Sequence, residues 1–130
     1  MLIDTSGFFA VFSEADNKHI LATEIYQKSR MRLTTNYILA EYVALAIIRG
    51  LPQKDVALFS EEILFDETIE IIWVDANLHL KAVQLIQARQ DKTYSLCDAA
   101  SFVLMKERGI NESLTTDIHF EQEGFIRLLK

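Results

Sequence analysis

A single cysteine, Cys97, rules out an internal disulfide, and three histidines scattered at 19, 79 and 119 cannot build a zinc cluster of the usual ligand spacing. The chain therefore reads as a cytoplasmic protein. It lacks a basic leader followed by an apolar run, and no stretch approaches the roughly 18 uninterrupted apolar residues of a membrane span. A soluble, unprocessed product with no membrane association is expected. Bases are also scarce: 13 lysines and arginines face 19 acids, for a net charge of −6. That bulk field repels a polyanion and counts against nucleic acid as a partner. Acids that hold divalent cations, however, add to the formal charge yet present a positive site once loaded, so the net charge does not exclude such a partner. Two phosphoryl chemistries are missing their residues. A D-x-D phosphatase needs an acid where Ser6 stands, and a receiver domain needs adjacent acids after its first strand, with a lysine at a later strand end.

What is present is an alternation of apolar strands and amphipathic helices. The 130 residues, half of them hydrophobic, suffice for one domain with a real core. Met1-Leu2-Ile3 is a short apolar run that stops at Asp4, and Gly7 to Phe12 follows as an apolar helix. Asp16 to Arg30 carries Ile20, Leu21, Ile25 and Tyr26 at helical spacing, Met31 to Thr35 reads as a second strand, and Asn36 as the cap of a helix from Tyr37 to Arg49. That helix is apolar around nearly its whole circumference, so burial on more than one side is expected. Pro52 opens a helix to about Phe65, Thr68 to Val74 is the clearest strand, and Asp75 caps a helix ending near Gln90. Ser95-Leu96-Cys97-Asp98 has the form of a capping box, and Gly109 fits the left-handed stop of its helix. Asn111 to Thr116 and Phe125 to Leu129 complete the strands. Trp73 and the phenylalanines are assigned to the core, and the three histidines to surface or packing roles. This rhythm predicts an α/β fold, a central, mostly parallel sheet of about five strands with helices on both faces, without repeat or linker.

In a parallel sheet the strand carboxyl ends and the following helix amino ends share one edge, so distant residues meet there. Asp4 and Asp117 follow strands, Asp98 lies in a first helical turn, and Glu41 sits one turn into its helix with a side chain leaning back toward the edge. Each acid has a simpler reading: Asp4 or Asp98 can serve as a helix cap. Glu41 is harder to dismiss, as a lone acid on a largely apolar helix. Four converging carboxylates repel one another unless a hard divalent cation binds them, and Mg²⁺ with its oxygen ligands is the natural partner. Phosphodiester hydrolysis by metal-activated water is the chemistry such a site suggests.

The stretches Leu2-Ile3-Asp4-Thr5-Ser6, Leu39-Ala40-Glu41, Ser95 to Ser101 and Leu114 to Phe120 with Gly124-Phe125 together resemble the PIN-domain ribonucleases, in particular the VapC-like toxins of type II toxin–antitoxin pairs. The resemblance spans essentially the full chain and implies a PIN-like nuclease domain over residues 1–130. It implies a metal-dependent endoribonuclease in which Asp4, Glu41, Asp98 and Asp117 are both catalytic residues and ligands of one or two Mg²⁺ (or Mn²⁺) ions. Thr5, Ser6 and Thr116 would support them. An RNA substrate, a homodimer and a small antitoxin protein are the implied partners. Cys97 stands where a threonine is expected in the family. The phosphate-contacting bases are open among Arg30, Arg32, Arg49 and Lys92. Alternatives are an RNA-processing nuclease without an antitoxin, or a catalytically silent binding domain.

Overall fold

The computed structural model describes all residues, 1–130, as a five-stranded sheet of order β3-β2-β1-β4-β5 in which every neighbouring pair is parallel. The strands are β1 (Leu2–Ile3), β2 (Leu33–Thr35), β3 (Glu70–Ile72), β4 (Glu112–Leu114) and β5 (Ile126–Arg127). The helices are α1 (Thr5–Phe12), α2 (His19–Lys28), α3 (Asn36–Ile48), α4 (Gln53–Phe65), α5 (Ala76–Ala88), α6 (Leu96–Arg108) and α7 (Ile118–Gln122). The alternation of strand and helix expected from the sequence is thus present throughout. The chain moves outward from β1 through β2 to β3, then crosses back to β4 and β5. With right-handed connections, that reversal puts α1–α4 on one face and α5–α7 on the other. It also opens a crevice between the carboxyl ends of β1 and β4, the place where open α/β sheets receive ligands.

β1 is completely buried, and its backbone aligns with β4 through Leu2 opposite Ser113 and Ile3 opposite Leu114. Polar side chains inside the sheet spend their donors on neighbouring strands. Thr34 Oγ1 donates to the Ile3 carbonyl (3.1 Å) and Ser113 Oγ to the Leu2 carbonyl (3.2 Å), so neither is buried unpaired. Phe8, Phe102 and Phe120 are fully buried, the last two meeting edge to face at 4.9 Å. Gly7 is where α1 comes closest to the sheet. A Cβ there would lie 2.1 Å from the Leu114 carbonyl oxygen, so only glycine lets the helix start this near β4.

Several expectations change. The strand expected over 68–74 shortens to Glu70–Ile72 because β3 is an edge strand paired only with β2, and Trp73, expected in the core, stands 64% exposed past its end. Phe65 also faces outward, as does Ile20 on α2, while Phe12 is half-exposed with its ring against Phe8, Tyr26 and Phe59. α3 buries Ile38, Leu39, Tyr42 and Ala46 but leaves Ile48 79% exposed, since in its last turn only the side carrying Ala46 is packed. The cap of α3 is Thr35, whose hydroxyl accepts the Ile38 N–H; Asn36 instead accepts the Val74 N–H through Oδ1 (2.6 Å). Asp75 does cap α5, accepting the Leu78 N–H, and Gly109 ends α6 at φ 66°. No helix is long and apolar enough to cross a membrane.

Candidate active site

Asp4 occupies the position before α1 yet makes no side-chain cap bond. Its carboxylate instead turns toward β4, where Thr115 Oγ1 donates to Oδ2 at 2.9 Å. Thr115 in turn accepts the Asp117 N–H (3.0 Å) and lies 3.1 Å from Ser6 Oγ. Because the Thr115 proton goes to Asp4, the Ser6 hydroxyl donates to Thr115, and Ser6 itself accepts the Thr116 N–H (3.0 Å). The hydroxyls of Ser6 and Thr115 form a directed relay ending on one carboxylate. Of the hydroxyls expected to support the acids, Ser6 joins this relay and the Thr116 side chain is exposed; the hydroxyl that meets Asp4 belongs to Thr115, the buried residue just past β4. Thr5 Oγ1 is buried in the same cleft with no partner in the protein.

Asp98 is a helix cap that also meets a side chain of the crevice. The capping box forms in full: Ser95 Oγ accepts the Asp98 N–H (3.0 Å) and Asp98 Oδ2 accepts the Ser95 N–H (3.2 Å). Oδ2 also meets His119 Nδ1 at 3.0 Å, which leaves Oδ1 free. Asp117 opens α7, its Oδ1 accepting the His119 N–H, and His119 Nδ1 lies 3.5 Å from the same oxygen. Ligand atoms of Asp98, Asp117 and His119 all fall within 4.8 Å of one another. Asp4, Glu41 and Asp117 line a cleft of about 120 Å³ together with Arg49. The four acids named from the sequence therefore converge at the crevice between β1 and β4.

His119 was not among them. Its position two residues after an acid that starts a helix is the signal that could have found it, because the first turn folds the ring back over the carboxylates. The same nitrogen can donate to Asp98 or, without its proton, offer a lone pair to a metal. Its Nε2 contacts Thr93 Oγ1 (3.2 Å) and its ring packs on Tyr94. Behind it, the Glu123 side chain, 4% exposed, gathers Arg89, Lys106 and the Tyr94 hydroxyl and so ties α7 to α5 and α6. Burial alone would raise the Glu123 carboxyl, but these donors hold it below the ordinary carboxylate range.

No lysine or arginine forms an ion pair with any of the four acids. Burial raises Asp4 from its ordinary 3.8 to about 7; the Thr115 hydroxyl opposes the shift, and the charges of Asp98 and Glu41 reinforce it. Asp98 is raised too, by burial first, with its bond to His119 opposing. Burial and the neighbouring Glu41, Asp4 and Asp98 charges push the Cys97 thiol far upward, so it is a weakly reactive neighbour of the acids. A cluster of hard oxygen donors that forms no ion pair with lysine or arginine and includes a buried carboxylate fits a divalent ion of the Mg²⁺ class.

Against known sequences, the model of the PIN domain matches residues 1–125. The chain belongs to the PIN domain family. Among curated relatives, the 23S rRNA-specific endonuclease VapC20 of Mycobacterium tuberculosis is 26% identical over 129 residues, covering 98% of this chain and 97% of that protein, and the same values hold in two strains. The crystal structure of VapC20 from M. tuberculosis, a sarcin-ricin loop cleaving toxin, superimposes with a TM-score of 0.87 at 25% identity, over 96% of this chain and 95% of that one. The PIN fold expected from the sequence motifs is thus the fold of the chain.

Proposed function

We infer that this PIN domain, residues 1–130, is a Mg²⁺- or Mn²⁺-dependent endoribonuclease and the toxin of a type II toxin–antitoxin pair, working in the cytoplasm. The observation that carries the reading is the meeting of Asp4, Glu41, Asp98 and Asp117 at the β1–β4 crevice, where no lysine or arginine pairs with them and His119 is the one basic side chain in contact. One or two ions would be held by these carboxylates, with the free Oδ1 of Asp98 and both oxygens of Glu41 as available donors. Such an ion lowers the pKa of a water and neutralises charge on a phosphate undergoing attack. The protein's own groups do the rest. Thr115 and Ser6 aim Asp4, the capping box fixes Asp98, and His119 holds Asp98 against Asp117. Burial of Asp4 disfavours its bare anion, which makes the site depend on a cation for its charged form.

The relatives' substrate, 23S rRNA, makes a sarcin-ricin hairpin the first RNA to test, beside tRNA and messenger pools. Purified protein with Mn²⁺ should cut RNA, EDTA should stop it, and Asp4→Ala or Asp98→Ala should abolish cleavage in a folded protein. Full activity of Asp4→Ala would refute the assignment, and absence of cleavage across all pools would favour a silent binding domain. A homodimer and a small antitoxin belong to the same reading. Large apolar side chains exposed on α4 and beyond β3, among them Leu58, Leu64, Phe65, Trp73 and Leu80, are surface that such partners cover. A short neighbouring gene for a DNA-binding protein would support the toxin role, and a solitary gene an RNA-processing role.

A further inference from the structure

The acid cleft continues into a second concavity. Ser6, Phe9 and Arg49 line both, and the second is the larger, at about 350 Å³. Its character is the reverse of the first. Lys18, Arg49, Arg127 and Lys130 line it with one carboxylate side chain, Asp16, which is engaged by the Lys18 backbone N–H (2.8 Å); Lys18 Nζ donates to the Lys130 carbonyl oxygen, and Lys130 Nζ pairs with Glu121 (3.4 Å). In a protein of net charge −6, this gathers basic side chains beside the acid cleft, and of the four Arg49 alone has no carbonyl or carboxylate partner.

Two of these cations are held in place. The Arg49 guanidinium sits 4.1 Å over the Phe9 ring, an arrangement that orients its planar fork without consuming its N–H donors, and no carboxylate pairs with it. Arg127 is anchored by Nε to Glu121 (3.1 Å) and by Nη1 to the Thr116 carbonyl (2.9 Å), which leaves donors on Nη2. The other candidate bases are placed or occupied elsewhere. Arg30 and Arg32 lead into the amino end of β2, opposite the acids, and Arg32 spends Nε and Nη2 on the Tyr26 carbonyl. Lys92 is paired with Asp91.

We propose that this basic concavity holds a backbone phosphodiester of the RNA flanking the one cleaved, with Arg49, shared by both concavities, as the residue that grips it. The proposal rests on the nuclease reading and adds to it the residues that overcome the repulsion of an acidic protein for RNA. A guanidinium fork gives a phosphate two parallel charge-assisted bonds, which a point charge cannot.

The test uses the full chain carrying Asp4→Asn, so that RNA is bound but not cut. Binding of a short, fluorescein-labelled, single-stranded oligoribonucleotide is followed by anisotropy from about 50 to 200 mM KCl. Adding Arg49→Ala should weaken binding about ten- to hundredfold and lower the salt slope by about 0.7, the loss of one phosphate contact. Arg49→Lys should keep the slope and recover part of the affinity. Lys54→Ala, which removes an exposed charge from the first turn of α4, should change neither. In an otherwise wild-type chain, Arg49→Ala should bind Mn²⁺ at least as tightly as before, because a cation has left the cleft. Unchanged RNA affinity and slope in Arg49→Ala, or loss of its Mn²⁺ binding, overturns the proposal and leaves the nuclease reading standing. If the Asp4→Asn parent binds no RNA at all, both fall together.

Discussion

Replacing Asp4 by asparagine should stabilise the metal-free protein, and by an amount that grows with pH. The carboxyl is 5% exposed, its one side-chain donor is Thr115, and its pKa is raised from 3.8 to about 7, mainly by burial. Its folded-state value lies above the unfolded one, so the protonated form favours folding at low pH and that contribution is lost as pH rises toward 7. A shift of roughly three units corresponds to about 4 kcal/mol of stability, present near pH 3 and gone above pH 7. Asparagine has the same shape, accepts the Thr115 hydroxyl and never ionises. In EDTA, the advantage of Asp4→Asn over wild type should be small near pH 4, grow by about 1.4 kcal/mol per pH unit, and level off at about 4 kcal/mol above pH 7. For a chain of this length that is roughly 10–15 °C in Tm. Thermal unfolding of both proteins across this pH range measures it directly. Added Mn²⁺ should raise the wild-type Tm and barely move that of Asp4→Asn, closing the gap. Parallel pH profiles in EDTA, or a variant less stable than wild type at pH 8, would show that Asp4 is not a destabilising buried anion and would remove the physical case for a cation there.

The relay predicts a contrast between adjacent threonines: Thr115→Val should cost about 1–3 kcal/mol in metal-free protein at pH 8 and impair Mn²⁺ binding by calorimetry, while Thr116→Val, altering an exposed side chain, should cost little. Gly7→Ala should destabilise by about 3 kcal/mol in urea unfolding and reduce cleavage, because its Cβ meets the Leu114 carbonyl and forces α1, and Asp4 with it, away from β4. Glu123→Gln should cost about 2 kcal/mol at neutral pH, less than for a fully buried pair because Arg89 and Lys106 reach solvent. The Glu123 carboxyl is held below its ordinary value, so that loss should vanish as acid protonates it, which denaturant curves at pH 7 and about pH 3 would reveal.

Much of the fold was legible because its signals are local or periodic. Leu2-Ile3 ending on Asp4, the Ser95–Asp98 capping box and Gly109 after α6 each state their structure within a few residues, and all three are observed. Trp73 was misread for the opposite reason. Apolar character cannot tell a central strand from an edge strand, and β3 has a neighbour on one side only. Likewise the last turn of α3 is as apolar as its middle, and only the packing around it leaves Ile48 outside.

For the site, the sequence by itself determined which acids were available and that they would share the carboxyl edge, since strand polarity in a parallel sheet allows no other placement. Only the tertiary structure decided how they are served. Ser6 and Thr115 meet across 109 positions, Asp98 and His119 across 21, and Arg49 crosses from α3 to the Phe9 ring of α1. These contacts depend on the strand order that sets β4 beside β1 and on which side of β4 each residue points. A shift of one residue along the strand separates Thr115 from Thr116, and nothing local to either threonine distinguishes them. The acids are a property of composition and spacing; their desolvation, and the cation they call for, are properties of the packed crevice.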